Sequence, residues 1–295
     1  MLVVLFGISL LVFSMIHVMP GDPALLAAGM EASPEVVERL RKEWGLDQPL
    51  PAQFLRFLSN AVRGELGTSL RTRSPVAEEI AERLPRTVTV AVAAAIVGTL
   101  GGIAAGVVAA AFRGRFGDRF IGALSLVLVS MPSYWLGLML MLVFSLGLGL
   151  LPSIGIATPA HYVLPVATLA AVSFGMIART TRQAVLDVME RDYIDAAFAR
   201  GLGRMAVLTR HALGNALLPI TSVVGLRFGN LLAGTVLVES VFAVPGLGRL
   251  MVDAVLARDF PVIQGAILVV ASLFVLVNTA TDVVYAFVDP RVRIA

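Results

Sequence analysis

The chain has 295 residues, of which 58% are hydrophobic and only 15% charged, a composition typical of membrane proteins and not of soluble enzymes. It contains no cysteine, which excludes disulfide bridges and thiolate metal sites. All but one of its basic residues are arginines, and most lie between apolar runs. The pI near 9.8 therefore indicates orientation in a membrane and not binding to nucleic acid.

Six apolar segments are long enough to be transmembrane helices, because a crossing needs about 20 mostly apolar residues. They are residues 2–19, residues 87–112, two crossings within the uncharged run 120–178, residues 213–238 and residues 260–281. The stretch LPSIGIATPAHYVLP, residues 151–165, predicts the turn between the third and fourth crossings. A signal peptide is the alternative for the first segment, although no basic region precedes it and no small-residue cleavage site is obvious.

The sequence thus predicts an all-α membrane protein with three regions. Residues 1–19 are the first transmembrane helix, residues 20–86 a helical segment on the outer surface, and residues 87–295 the transmembrane core with a cytoplasmic loop at 182–212. In the outer segment, Ser33 followed by Pro34 predicts a helix start, and a second amphipathic helix follows at residues 51–62. We expect this segment to pack on the ends of the crossings.

Arginine placement predicts the orientation of the chain. The loops after the second and fourth crossings and the carboxyl-terminal tail are rich in arginine, whereas the opposite short loops contain only Arg249 and Arg258. Because basic residues accumulate in short cytoplasmic loops, both termini are predicted to be cytoplasmic. The arginine-rich positions are Arg113, Arg115, Arg119, Arg179, Arg182, Arg191, Arg200, Arg204, Arg210, Arg291 and Arg293.

The cytoplasmic loop contains nine formal charges between Arg182 and Arg210. Burying them in the hydrocarbon would cost on the order of 20 kcal/mol, so the loop stays in water. Its pattern is helical, and the glycines in GLG, residues 201–203, predict where the helix ends. Ala196, Ala197 and Gly201 are then expected to form a small-residue surface that another protein can approach closely.

The segment DAAFARG, residues 195–201, resembles the EAA loop of the permease subunits of bacterial ABC importers. Three further stretches are similar to the dipeptide and oligopeptide permease family: RHALGNALLP at residues 210–219, MPGDPA at residues 19–24, and ESVFAVPGLGRLMVDAVLARDFPVIQG at residues 239–265. The resemblance covers essentially the whole chain. It differs in that Asp195 replaces the glutamate of the motif and Gly214 stands about where the broader importer pattern has proline.

The resemblance implies that the loop is a coupling helix that docks in a groove of an ATPase subunit, through Asp195, Ala196, Ala197 and Gly201. It also implies that this chain lies in a bacterial inner membrane. Four kinds of partner are expected: a second permease, two ATPase subunits, an extracytoplasmic solute-binding protein and lipid. The chain has no GxxxxGK phosphate loop, so ATP and Mg²⁺ are expected on the ATPase subunits and no cofactor on this chain. Transport is expected to follow alternating access.

Two further sets of residues have open interpretations. Pro245, Gly246 and Gly248 in VPGLG form a turn by composition, while the resemblance places them at the outer mouth as a gate or a binding-protein contact. Arg227 lies deep in the fifth crossing, with Asn230 one turn later, and a charge there should face protein or water. These two residues either line the translocation path, or Arg227 bonds to the backbone of a neighbouring helix.

A stand-alone secondary transporter or channel of six helices is the alternative function. Such proteins commonly have repeats and intramembrane acidic residues near the midplane, and the sequence shows neither clearly. The sequence leaves the solute open, since peptides, nickel chelates, glutathione and some sugar conjugates all use permeases of this kind.

Overall fold

The computed structural model describes residues 1–18, 23–28 and 32–288. In these residues the protein is helical, and the only extended pairing is an isolated bridge between Thr68 and Pro75, which confirms the all-α prediction. Residues 19–22 of the MPGDPA stretch, Arg291 and Arg293 lie outside the described residues. The chain forms two compact units, one of residues 1–85 with 250–275 and the other of residues 86–249 with 276–295.

The first unit joins the outer segment to the first helix and to the start of the last one. The ring of Phe54 packs on α1 (Leu2–Val18). Its centroid lies 5.6 Å from that of Phe6 and 5.4 Å from that of Phe13. The Gln264 side chain donates to the Val12 carbonyl at 3.0 Å. The helices of this unit are α1 (Leu2–Val18), α2 (Pro23–Ala28), α3 (Pro34–Trp44), α4 (Leu50–Val62) and parts of α5 (Val76–Ala111), α12 (Leu247–Ala257) and α13 (Phe260–Val288).

The helix starts in the outer segment agree with the sequence. Ser33 occupies the N-cap of α3 and Pro34 its first turn, although the Ser33 side chain makes no capping hydrogen bond. The α3 helix ends at Gly45, whose left-handed φ of 69° suits glycine. Farther along, buried Asp259 accepts hydrogen bonds from the Ser69 hydroxyl and from the backbone N–H groups of Leu70 and Arg71. That carboxylate fixes the loop before α5.

The second unit is built around α8 (Val163–Met189). This helix packs on α6 (Phe116–Ser130), α7 (Ser133–Leu140) and α11 (Leu213–Val241). Its core contains Val90 and Ala94 of α5, Leu164 and Leu169 of α8, and Phe242 after α11. Besides most of α5, its elements are α6 (Phe116–Ser130), α7 (Ser133–Leu140), a π-helical turn (Met141–Gly147), a 3₁₀ turn (Pro159–Tyr162), α8 (Val163–Met189), α9 (Asp192–Ala199), α10 (Arg204–Ala206), a second π-helical turn (Val207–Ala212) and α11 (Leu213–Val241).

Three glycines in the stretch GTLGGIAAG, residues 98–106, let α5 approach α8 closely. A Cβ on Gly98 would lie 3.0 Å from the Ala170 carbonyl oxygen, and one on Gly102 would lie 2.9 Å from Ile177 Cβ. A Cβ on Gly106 would lie 2.5 Å from Thr181 Cβ. We call these three positions the glycine seam. Small residues at this spacing allow backbones to touch, which is how helices associate in lipid.

Among the described residues, three helices are long and apolar enough to cross a membrane, namely Val76–Ala111, Pro159–Met189 and Phe260–Thr281. A bent pair, Phe116–Ser130 with Ser133–Gly147, brings the number to four if it counts as one crossing. Leu2–His17 and Leu231–Val241 are shorter apolar helices. The described residues therefore give a multi-pass helical protein with three or four clear crossings where the sequence predicted six.

The predicted third crossing differs most from the sequence expectation. The two helices of the bent pair meet at an angle of 113°. Met131, between them, has an extended backbone, and Pro132 follows. Proline lacks an N–H and disfavours helical geometry in the residue before it, so the helix stops there. The uncharged run from residue 120 does not reveal this break because hydropathy alone ignores Pro132.

Candidate coupling surface and outer turn

The motif segment DAAFARG lies mostly on α9, a helix of eight residues. Asp192 and Asp195 are in its first turn, where the helix dipole stabilises negative charge. The helix ends where sequence analysis predicted, because Gly201 has a φ of +83°. The N–H of Gly201 donates to the Phe198 carbonyl at 2.9 Å, which closes the last turn.

Two apolar side chains of α9 anchor it to the rest of the chain. Ile194 is fully buried, Ala197 is 3% exposed, and both pack with Val207 of the following π-helical turn. Val188 and Met189, at the end of α8, cover the same small core. The helix is therefore attached to the end of α8, so that the two should move together.

The opposite side of α9 and the turn after it are exposed. Asp195, Ala196 and Gly201 of the motif are all exposed, and four large apolar side chains lie beside them. Aromatic residues and methionine are enriched at protein interfaces, so this is the composition of a docking surface. We name it the coupling surface, and it consists of Tyr193, Asp195, Ala196, Phe198, Gly201, Leu202 and Met205.

Ala197 differs from the sequence expectation. It was expected to share an exposed small-residue surface with Ala196 and Gly201, but its methyl group is buried against the chain's own core. The helix turns Ala197 toward the same side as Ile194, three residues earlier. A small residue at this position serves the close packing of α9 on the residues below it, and its part in coupling stays a prediction.

Two ion pairs connect the carboxyl-terminal part of α8 to the start of α6 and to the turn between α5 and α6. Arg182 holds Asp118 with two hydrogen bonds, and Asp118 also accepts the Gly114 N–H at 2.9 Å. Arg113 pairs with Glu190 at 2.9 Å on the surface. In the sequence, Arg182 and Arg113 indicate only the orientation and the charge of their loops. A charge directly beside a long uncharged run, such as Asp118, is the signal that points to such a pair.

The turn VPGLG, residues 244–248, is packed around a buried carboxylate. Glu239 is fully buried and accepts hydrogen bonds from the N–H groups of Gly248 at 2.7 Å and Arg249 at 3.2 Å. The Leu247 N–H donates to the Thr87 hydroxyl at 2.8 Å. Glu239 therefore caps the start of α12, where backbone N–H groups lack helical partners. Sequence analysis did not single out this residue.

The two glycines of the turn are buried because they touch the chain itself. A Cβ on Gly246 would lie 2.4 Å from the Glu239 carboxyl group, and one on Gly248 would lie 2.4 Å from Val236 Cα. Pro245 is partly exposed, and its carbonyl accepts a hydrogen bond from Arg86. Both glycines thus allow the turn to pack closely on α11, while a gating or binding-protein role for the turn stays a prediction. Arg227 and Asn230 fall on α11, but their side chains lie outside the described residues.

Comparison with known proteins identifies the family. Residues 102–294 match the family described as "Binding-protein-dependent transport system inner membrane component", and residues 1–91 match its amino-terminal family, "Binding-prot-dependent transport system membrane comp, N-term". The chain is 44% identical over 289 residues to the glutathione transport system permease protein GsiC of Escherichia coli (strain K12), covering 98% of this chain and 94% of that protein. The GsiC protein of Pectobacterium atrosepticum is 43% identical over 286 residues, with 97% and 94% covered.

Two solved structures share the fold at low sequence identity. The MetNI methionine ABC transporter in an inward-facing conformation superposes with a TM-score of 0.61 at 19% identity, covering 71% of this chain and 96% of that chain. An amino acid ABC transporter solved with histidines gives a TM-score of 0.53 at 16% identity, with 73% and 94% covered. Family membership displaces the alternative of a stand-alone secondary transporter. The chain belongs to the binding-protein-dependent transport system inner membrane components and is a multi-pass permease subunit of an ABC importer in the bacterial inner membrane.

Proposed function

We propose that this permease carries peptides or closely related solutes, with a small peptide such as glutathione as the first candidate. The similarity to glutathione permeases extends over nearly the whole chain, at 44% identity. Glutathione is an anionic tripeptide, so it shares its peptide backbone and carboxylate groups with the solutes of other peptide permeases. Nickel chelates and sugar conjugates are the solutes against which this candidate must be tested.

The translocation path lies between this chain and a second, similar permease. A solute-binding protein delivers solute to the outer side, and two ATPase subunits bind ATP and Mg²⁺ and hydrolyse the ATP, so this chain itself carries neither cofactor nor catalytic residues. Closure of the ATPase subunits moves the coupling surface, and this movement opens the path alternately to each side. The attachment of α9 to the end of α8 through Ile194 and Ala197 supports such a transfer of motion.

The chain crosses the membrane six times, with both termini in the cytoplasm. The length of α11, 29 residues, supports the fifth crossing, because about 43 Å of helix exceeds the roughly 30 Å of hydrocarbon. The first crossing corresponds to α1, a mostly apolar helix of 17 residues. In this topology the coupling surface lies in the cytoplasm with most of the short-loop arginines.

The coupling surface is the observation that carries this proposal. It presents four large apolar side chains to solvent, on α9 and the residues that follow it, while the other side of α9 is buried in the chain. Ala196 lies among them and is exposed, so arginine at this position fits the isolated chain and disturbs only a docked partner. Ala157, also exposed but in the predicted outer loop, provides a matched alanine-to-arginine control.

The test uses the permease pair expressed with its ATPase subunits and purified by a tag on this chain. Ala196→Arg should release the ATPase subunits and abolish uptake of a labelled tripeptide into proteoliposomes, whereas Ala157→Arg should retain both. Equal ATPase retention and uptake in the two variants would refute the docking assignment. Competition of uptake by excess dipeptide, metal chelate or sugar conjugate separately tests the solute class, and failure of the tripeptide to be taken up would refute that part alone.

A further inference from the structure

The first unit contains a partly open cavity of about 310 Å³, separate from the coupling surface. Its walls come from the end of α1, from α3 and α4, and from the start of α13. Ligand sites in proteins begin at roughly this volume, which suits a small polar group with a few attached carbon atoms. Two hydrogen bonds hold the walls together, one from Gln264 to Val12 at 3.0 Å and one between His17 and Gln53 at 3.1 Å.

One part of the cavity wall is apolar and aromatic. Phe13 and Phe57 line it with their ring centroids 5.9 Å apart, and Ile16 and Leu268 extend the same surface. The apolar surface continues outside the cavity along the same side of α1, where Phe6 is 53% exposed and packs with Phe13 on the Phe54 ring. An apolar chain that leaves the cavity therefore meets a surface suited to lipid tails.

The His17 and Gln53 side chains form a fixed part of the polar wall. The Gln53 amide nitrogen donates to the carbonyls of Leu46 at 3.2 Å and Gln48 at 2.8 Å, so the amide oxygen is the atom that faces His17. His17 Nε2 accordingly donates to that oxygen, at 3.1 Å. Both side chains are engaged within the protein, which leaves other residues to select a ligand.

The remaining polar lining includes one charge of each sign. Arg56 and Glu65 both line the cavity, with Asn60 between them in sequence. The five N–H donors of a guanidinium can serve neighbours in the chain and an anionic oxygen together, and a carboxylate accepts hydrogen bonds from an ammonium group. A ligand that complements this lining carries an anionic oxygen group, a protonated amine and an apolar part.

We propose that this cavity binds the headgroup of a zwitterionic phospholipid of the phosphatidylethanolamine type. The phosphate meets Arg56 and Asn60, the ammonium meets Glu65, and the acyl chains run along the apolar surface of α1. The continuity of the cavity with exposed Phe6, through the Phe54 and Phe13 rings, favours a membrane lipid over a dissolved zwitterion. Which leaflet supplies the lipid rests on the proposed topology, which places this cavity on the outer side.

The experiment measures lipid retained by the full transporter in nanodiscs that contain phosphatidylethanolamine, phosphatidylcholine and phosphatidylglycerol. Native mass spectrometry should show phosphatidylethanolamine enriched over both others. Phosphatidylcholine has the phosphate but its trimethylated ammonium has no N–H donors, and phosphatidylglycerol has no cation. Arg56→Gln should weaken retention about tenfold, the effect of losing one charge-assisted hydrogen bond. Glu65→Gln should remove the preference for phosphatidylethanolamine over phosphatidylglycerol while phosphate binding persists.

Arg63→Gln and Asp47→Asn are the matched controls, since both residues are exposed and neither lines the cavity. Both should retain lipid like the unaltered chain, and every variant should retain its ATPase subunits, which separates this test from that of the coupling surface. No enrichment of phosphatidylethanolamine, or equal losses in Arg56→Gln and Arg63→Gln, would overturn the proposal. So would displacement of the lipid by soluble glycerophosphoethanolamine or by a zwitterionic tripeptide, because that would make the cavity a solute site.

Discussion

The guanidinium of Arg182 lies against the carboxylate of Asp118, with Nε 2.5 Å from Oδ1 and Nη2 2.8 Å from Oδ2. This two-point contact joins α8 to the first turn of α6. The Asp118 side chain is 7% exposed and that of Arg182 is 32% exposed, so water screens the pair only in part. The planar fork of arginine matches a carboxylate in a way that lysine does not.

Replacing Arg182 by glutamine should destabilise the protein by about 2 kcal/mol, because the buried Asp118 carboxylate loses its partner. This value is below the range for fully buried pairs since Arg182 is partly exposed. Thermal unfolding of the purified chain in detergent measures the change. Adding Asp118→Asn should recover part of the loss, and a double-mutant cycle with no coupling between the two changes would contradict the assignment.

The pair between Arg113 and Glu190 should behave differently. Its side chains are 58% and 63% exposed, and exposed pairs contribute little because water and salt screen them. Arg113→Gln should therefore change the free energy of unfolding by less than about 0.5 kcal/mol. The same unfolding assay applies. A loss of stability as large as that of Arg182→Gln would show that this contact stabilises the fold more than its exposure indicates.

Gly106→Ala should destabilise the chain by about 1–3 kcal/mol, the usual cost of overpacking. The added methyl would lie 2.6 Å from the Ala178 carbonyl oxygen, and backbone cannot move aside as a flexible side chain does. Gly122→Ala on α6 is the control, because no atom lies within 4 Å of its Cβ position. That variant should gain up to about 1 kcal/mol. Equal melting temperatures for the two variants would argue against close α5–α8 contact.

Gly248→Ala should disturb the outer turn because its Cβ would lie 2.4 Å from Val236 Cα. We expect a loss of about 1–3 kcal/mol and reduced uptake, since the start of α12 must shift away from the Glu239 carboxylate. Gly214→Ala on α11, with open space around it, should keep both properties. If Gly248→Ala unfolds and transports like Gly214→Ala, the turn is not packed as described.

The proposed topology predicts which single cysteines an impermeant thiol reagent labels on intact cells. Ser33→Cys and Ala157→Cys should be labelled and Ala199→Cys should not, because all three positions are exposed and only their sides of the membrane differ. Gly246 is unsuitable as a reporter, since its Cβ would meet Glu239. Labelling of Ala199→Cys with silence at the other two positions would reverse the proposed orientation.

Arg227 is the fifteenth residue of α11, so a side chain facing lipid there would cost about 2.5–3.5 kcal/mol. If Arg227 lines the path with Asn230, Arg227→Gln should reduce uptake of an anionic peptide more than uptake of a neutral one, while Arg227→Lys keeps the charge and most of the preference. Uptake competition at equal expression measures this. Normal uptake and normal preference in both variants would favour a structural arginine.

Local signals in the sequence predicted the helix of the motif segment and its end, and long-range packing determines which of its residues are buried. The end of α9 at Gly201 was predictable because a helix stop depends on adjacent residues. The burial of Ala197 was not, since it depends on how Val207, ten residues later, folds back. Arg182 and Asp118 are 64 residues apart, and no sequence period connects them. The burial of Glu239 likewise requires the turn that follows it to come back onto α11.

The glycine seam gives the α5–α8 pair mechanical stiffness. Where backbones touch, there are no long side chains whose rotamer changes absorb a small displacement, so the two helices bend and tilt as one lever. The seam ends at Thr181, and Arg182 adds the tie to α6 directly beside it. A displacement of α9 is therefore transmitted directly to the end of α8. Because α5 and α8 are in close contact, both helices should then shift together along their length.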